Sequence, residues 1–399
     1  MDPLTGSVQH YAWGSRTALP AFLGVEPDGR PQAELWLGAH PGAPSQVAGS
    51  PLPDRIDADP TGVVGGASVE AFGPRLPYLL KVLAAGEPLS LQAHPTRAQA
   101  EDGYAREQAA GVDPGAPTRL YRDDWPKPEM FMALGDIEAL CGFREPDTTY
   151  ALFSRLGVTA ASELVAPLQG GGPEQLAEVF ARVLRLAEGD REVVAQVVTA
   201  AAELIEAGEG RTDDELALFA RTAVELDEHY PGDPGVLAAL LMNRIGYGRF
   251  QALFLPAGNL HAYLHGIGVE VMANSDNVMR GGLTPKHVDV GELLAVLDFT
   301  PGVPDLVEVV EEGAGVWRYP TPAPEFALWR LDADAEAVTV PAAGSGRIVL
   351  VVEGSVEVFD GSRATTLKQG ESVFGYPGDV VTVTGAGGTG TVVVAAPGL

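Results

Sequence analysis

Residues Phe254 to Val288, FLPAGNLHAYLHGIGVEVMANSDNVMRGGLTPKHV, constrain the fold more than any other segment. These thirty-five residues hold three His, three Asn, a Glu, an Asp, an Arg and a Lys. Most of the polar groups sit among glycines and short apolar pairs, not along a charged helix face. That texture suits a site built inside a sheet, where a few polar side chains are held at fixed positions. The His261 and His265 pair has the HxxxH spacing of a metal-binding helix. Pro256 and Gly258 before it, and Gly266 and Gly268 after it, favour strand instead. On a strand, positions four apart lie ~13 Å from each other at ~3.3 Å per residue. Two such residues cannot share one metal at ~2.0–2.1 Å. His261 is therefore the expected ligand, and His265 a nearby polar residue.

Three other segments carry chemistry. In Ser90-Leu91-Gln92-Ala93-His94-Pro95, strand alternation lets Gln92 and His94 face one side while Leu91 and Ala93 face the other. In Trp125-Pro126-Lys127-Pro128-Glu129-Met130, the flanking prolines hold Lys127 extended, so Lys127 and Glu129 share a face. Asn274 to Asn277 is too polar for a strand and reads as a loop. Glu270 alternates with Val269 and Val271 in the strand before it. Arg280 precedes Gly281-Gly282, and Lys286 closes the loop; together they make a natural phosphate clamp. Gln92, His94, Glu129 and His261 form a coherent nitrogen and oxygen ligand set. Imidazole with carboxylate suits zinc, while Mn, Fe, Co and Ni stay open.

Composition narrows the class. The 399 residues are 46% hydrophobic, enough for two or three domains with real cores. No run approaches ~18 uninterrupted apolar residues, so no transmembrane helix is expected. The start, MDPLTGSVQHYAWG, lacks a basic then apolar leader pattern, and a cytoplasmic protein is expected. A single cysteine, Cys141, rules out both an internal disulfide and a cysteine-based zinc site. The net charge of −28 argues against nucleic acid or anionic membrane as partners. An anionic substrate then needs local cations to overcome the global field. The chain has 22 Arg and four Lys (Lys81, Lys127, Lys286 and Lys368), and three of those lysines lie in the polar segments. A compact ammonium differs from guanidinium in shape and in its readiness to lose a proton, so those lysines are candidates for function.

The chain divides by texture. Residues 1–145 are rich in Pro and Gly with short strand-like runs, and residues 243–314 return to that texture; together they read as one β domain interrupted by what lies between them. Residues 146–242 read as a helical insertion of four to six helices. Their apolar residues recur at helical spacing, for example Leu176, Val179, Phe180, Val183 and Leu184. GGGPEQ and RTDDE look like helix starts, and Asp233-Pro234 fits a cap followed by a first-turn proline. The insertion has few chemical residues and reads as a packing or lid-like element. Residues 315–399 alternate short strands with Gly turns, which indicates a jelly roll. The last histidine is His287, so that roll offers no histidine-based metal site.

Taken together, QHYAWGS (9–15), AELWLGAHP (33–41), LSLQAHP (89–95), KPEM (127–130), ALCGFR (139–144) and the long segment from Phe254 resemble the type I mannose-6-phosphate isomerases of the cupin superfamily. The resemblance runs end to end and is weakest in the helical block. It implies a mainly β bicupin, two jelly-roll-like β domains with an inserted α-helical domain. It also implies one zinc per chain on Gln92, His94, Glu129 and His261, and a small sugar phosphate as the partner. The implied reaction interconverts mannose 6-phosphate and fructose 6-phosphate through a cis-enediol, as in mannose catabolism or GDP-mannose synthesis. The family's sugar and phosphate contacts fall on Ser90, Lys127, Tyr263, Glu270, Asp276, Arg280 and Lys286, with Lys81 a further candidate. Asp276, assisted by Lys127, is the expected proton carrier, and Glu270 is expected to orient a hydroxyl. Two departures stand out: His265 occupies a position where the family commonly has a small residue, and the early strand lacks the Asn often found before its Gln. A relative with a shifted aldose preference, or a non-catalytic sugar-phosphate binder, remains an alternative.

Overall fold

The computed structural model describes residues 1–187, 190–208 and 215–399. Its strands form a nine-stranded, a ten-stranded and a four-stranded sheet, and the strands of each pair antiparallel. The ten-stranded sheet is organised by one long strand, His261–Ala273. It pairs with Tyr78–Ala85, Glu129–Ala133, Ile137–Phe143 and the short Gln92–Ala93. The segments that carry Gln92, Glu129 and His261 therefore meet along one strand.

Packing follows the strand alternation. Leu80, Val82, Val269, Val271, Met130 and Met132 face Leu328, Ile348, Leu350, Val393 and Ala395 of the nine-stranded sheet in one shared core. Val349, Val351, Val392 and Val394 point the other way, against Val356, Val358 and Val383 of the four-stranded sheet. The strand Arg347–Glu353 is thus apolar on both faces because both are covered. This is why its sequence runs continuously hydrophobic instead of alternating.

The insertion contributes the helices Pro146–Arg155, Thr159–Leu164, Pro173–Leu184, Glu192–Glu206, Glu215–His229 and Gly235–Ala239 among the described residues. Pro173–Leu184 begins at GGGPEQ, where the Gln175 side chain accepts from the Gly172 N–H at 2.9 Å. Asp233 accepts from the Gly235 N–H at 2.7 Å in the turn that leads into the last of these helices, whose N-cap is Pro234. The RTDDE start lies, from 211 to 214, outside the described residues. Phe153, Val179, Phe180, Val194 and Phe219 of the insertion bury the outer faces of the site strands, at Leu91, Ala93, Leu140, Leu260, Ala262 and Leu264. No helix among the described residues is long and apolar enough to cross a membrane.

The sheet register departs from the expected boundaries. Asp2–Thr5, Gln46–Val47 and Ser50–Pro51 hydrogen-bond into the nine-stranded sheet with the C-terminal strands, although texture assigns 1–145 whole to the first domain. Val310–Gly313 also belongs there, just ahead of the expected start at 315. Short strands carry no label of which sheet they will join. Helices also appear at Leu52–Ala58, Pro60–Val64, Gly66–Phe72 and Arg97–Ala109, where irregular β texture is expected. Arg97–Ala109 buries only Ala100 and Gly103, so it lacks an apolar stripe to betray it. What starts it is a capping box, Thr96 with Gln99.

A break in the long strand decides which side chains meet. His261 and Glu270 are nine residues apart, so a regular strand would put them on opposite faces. The pairing with Ile137–Phe143 shifts register between Tyr263 and His265, and Gly266 takes φ +122°. This bulge reverses the alternation: Leu260, Ala262 and Leu264 face the insertion before it, whereas Val269 and Val271 face the inter-sheet core after it. His261 and Glu270 end on one side. Beyond the bulge, a Cβ on Gly268 would collide with the Phe131 ring and the Met132 carbonyl. Gly268→Ala is expected to cost about 1–3 kcal/mol through that overpacking. Urea unfolding monitored by circular dichroism would read the loss, and an unchanged midpoint would show that the ring yields freely.

Candidate metal centre and active-site cavity

His94, Glu129 and His261 converge, with one donor atom of each lying within 4.8 Å of the others. All three are buried. His94 follows directly on the strand Gln92–Ala93, Glu129 opens the strand Glu129–Ala133, and His261 opens the long strand. The His94 Nδ1 lies 2.7 Å from the Asn277 carbonyl and the His261 Nδ1 lies 3.2 Å from the Asn259 carbonyl. A carbonyl only accepts, so each Nδ1 carries the proton and each Nε2 presents a lone pair. Those Nε2 atoms sit 3.3 Å from the two oxygens of Glu129.

The His94 contact is not an ion pair. Burial, and then the charge of Lys127, lower the His94 imidazole to about 4, so it is neutral at pH 7. Burial pushes the Glu129 carboxyl up, but Lys127 and the two imidazoles outweigh it and hold it well below the usual carboxylate range. Two lone pairs thus face an ionised carboxylate. The His94 Nε2, His261 Nε2 and Glu129 Oε2 are buried without a hydrogen-bond partner. Buried polar atoms ordinarily find partners, so three orphans converging on one point fit a cation. Gln92 sits directly across from His261 in the register, on the cavity side, and can complete the set.

The cluster opens into a cavity of about 550 Å³ lined by Ser90, Gln92, Lys127 and Glu129 along with Lys81, Glu270, Arg280 and Lys286. Two ammonium groups in it are tied to carboxylates. Lys127 Nζ lies 2.7 Å from Glu129 Oε1, and Lys81 Nζ lies 3.0 Å from Glu270 and 3.4 Å from Glu34. Burial alone would depress Lys81, but Glu34 and Glu270 outweigh it and raise its pKa. Burial also raises the Glu270 carboxyl, with Lys81 opposing. Arg280 is lowered by burial and by Arg122, and Lys286 by burial, Arg280 and Arg122. Cations that repel one another at a cavity wall favour an anion between them.

Two expected contacts lie elsewhere. Tyr263 does not line the cavity: its ring packs on Phe131 at 4.4 Å and its hydroxyl is buried with no partner. Asp276 is also absent from the lining, with a side chain 48% exposed and a carboxylate 3.3 Å from His40 Nε2. Its loop position lets the side chain turn to His40 instead of inward. His265 is exposed past the bulge and does not reach the cavity.

Other lining residues had no role from sequence: Tyr11, Trp13, Glu34, Glu87, His229 and Tyr230. The first three lie in QHYAWGS and AELWLG, where the motif was visible but no single residue was marked. His229 and Tyr230 come from the end of an insertion helix, which only the docking of that helix brings to the mouth. The loop carrying Arg280 is pinned to the insertion as well. Gly282, at φ +117°, lies so near Gly235 that a Cβ would stand 2.6 Å from its Cα, and Asp233 accepts from the Thr284 N–H at 3.3 Å.

Residues 1–146 match the family model described as phosphomannose isomerase type I, catalytic domain. The Escherichia coli mannose-6-phosphate isomerase is 38% identical over 383 residues, covering 94% of each chain. The chain belongs to the mannose-6-phosphate isomerase family. Mannose-6-phosphate isomerase 2 of Arabidopsis thaliana is 32% identical over 95% of this chain and 89% of its own. Among solved structures, mannose 6-phosphate isomerase bound with zinc and yttrium matches with a TM-score of 0.90 and 35% identity, covering all of both chains. The Salmonella typhimurium mannose 6-phosphate isomerase bound to substrate and zinc matches with a TM-score of 0.90 and 34% identity, again over all of both chains. The mainly antiparallel cupin architecture is the one these isomerases share.

His261→Ala removes one of the three converging donors. Divalent-metal affinity, read by calorimetry with cobalt, is expected to fall by at least the ~10–100-fold seen when mere supporting contacts are lost. Unaltered cobalt binding would show that the three donors do not act together.

Proposed function

We propose that this chain interconverts mannose 6-phosphate and fructose 6-phosphate, with one zinc held by Gln92, His94, Glu129 and His261. The carrying observation is the trio of buried, unpartnered donor atoms opening into a cavity whose wall bears Arg280 and Lys286. Zinc bound there would supply Lewis-acid polarisation of the sugar carbonyl, making the neighbouring C–H more acidic. The chain's own groups supply the rest. Arg280 and Lys286 hold the phosphate, and binding energy gained at that remote group places C1 and C2. Ser90 and Lys127 orient the sugar oxygens. Lys127 also keeps Glu129 charged, and Lys81 opposes the rise that burial gives Glu270.

The reaction takes a proton from C2 of the open-chain aldose and returns one to C1, while the carbonyl moves from C1 to C2 through a cis-enediol. Nothing else is consumed. The base must reach within ~3 Å of the proton, directly or through one water. Asp276, favoured from sequence, is half-exposed and turned to the buried His40, outside the cavity lining, so Glu270 is the better carrier. It lines the cavity, and burial raises its carboxyl and so strengthens it as a base, with Lys81, 3.0 Å away, opposing that rise. This reading includes a cytoplasmic protein with no nucleic-acid or membrane partner, which the charge of −28 supports.

A coupled assay of mannose 6-phosphate conversion is expected to lose activity on chelation and regain it with zinc. No conversion by intact, zinc-loaded protein would overturn the reading, and turnover of another aldose phosphate would redirect it to a shifted preference. Glu270→Gln should cut kcat by ~10²–10⁴-fold, the usual range for a lost general base, with zinc content unchanged. Asp276→Asn should cost much less. The opposite ranking would return the proton-transfer role to Asp276.

A further inference from the structure

We propose that Asn277 is a positioning residue for the metal, setting the direction of His94 through its backbone carbonyl; this rests on the zinc reading above. The Asn277 carbonyl accepts from His94 Nδ1 at 2.7 Å, so where that oxygen sits determines where Nε2 aims. The oxygen lies in a loop between strands, with no ladder to fix it. The Asn277 side chain does the fixing instead. Its Oδ1 accepts from the N–H of Arg122 at 2.8 Å and of Asp123 at 3.3 Å, and its Nδ2 donates to the carbonyls of Asp123 at 2.8 Å and Trp125 at 2.9 Å. The residue is fully buried.

A short primary amide suits this seat. It offers two donors and a two-lone-pair acceptor within one side chain. Aspartate would lose both donors beside the Asp123 carboxylate, and glutamine would be one carbon too long. Ser275 reinforces the arrangement: its hydroxyl donates to Asp123 Oδ1 at 2.7 Å and accepts from the Asn277 N–H at 3.2 Å. Asp123 Oδ1 also accepts from the Trp125 N–H at 3.0 Å. The same amide therefore ties the seat of His94 to the segment that runs through Lys127 into Glu129. One residue sets the relative placement of two donors that come from distant parts of the chain.

The test measures zinc affinity by competition with a chelating dye, and the visible absorption bands of the cobalt-substituted protein, for the native chain, Asn277→Ala and Ser275→Ala. Asn277→Ala should weaken zinc by ~10–100-fold, the usual cost of losing a contact that supports a ligand. Its cobalt bands should move, which a general loss of stability would not cause. Ser275→Ala should shift both readouts in the same direction by less. If Asn277→Ala does not fold, Ser275→Ala decides on the same two readouts. Native protein that takes up no zinc would overturn both the zinc reading and this proposal. Native protein that binds zinc, beside folded variants with unchanged affinity and unchanged cobalt bands, would overturn this proposal alone.

Discussion

Two imidazole lone pairs turned toward one ionised carboxylate, all buried, are unfavourable without a cation between them. Much of the surrounding structure serves to hold that arrangement in place. Each histidine has its other nitrogen committed to a backbone carbonyl, so neither can turn away or change tautomer cheaply. Lys127 keeps Glu129 charged in a place where burial alone would protonate it. The three residues come from separate strands, and the antiparallel register around His261–Ala273 brings those strands side by side. The helical insertion covers the backs of the strands beside His94 and His261 with apolar side chains, and the nine-stranded sheet covers the back of the Glu129 strand, which keeps water from the outer faces.

The cavity separates charge by function. Near the metal donors, each lysine has a carboxylate partner, so the local balance is close to neutral. Toward Arg280 and Lys286 the charges acting on each are other cations. That end is electrostatically costly when empty and would favour an anion placed there. On a chain of net charge −28, this local concentration of positive charge is what the proposed anionic substrate would meet.

Much of the site was legible before any fold was known, because it obeys local rules. Strand alternation placed Gln92 and His94 on one side and Leu91 and Ala93 on the other. Proline on both sides put Lys127 beside Glu129, now 2.7 Å apart. Chain reach made His261 and His265 exclusive, and His265 does lie outside the cavity. Asp276 was harder, since a loop side chain has no fixed face and its partner, His40, lies far away in sequence. Arg97–Ala109 was missed as a helix because it has a cap and no apolar stripe. His229 and Tyr230 were beyond any local rule.

By itself, the sequence determined the chemistry available: which donors a metal could use, which cations an anion could meet, and that the strongly periodic block from 146 to 242 would be helical. These follow from side-chain type and from periods of two or 3.6 residues, which act over a few neighbours. Only the tertiary structure decided the direction of each group. The bulge near Gly266 put His261 and Glu270 on one face, and the docking of the insertion brought His229 to the mouth. Pairing between distant segments put Asp2–Thr5 with the C-terminal sheet. Each of these depends on contacts between residues far apart in the chain, and no local pattern encodes which distant partner will win.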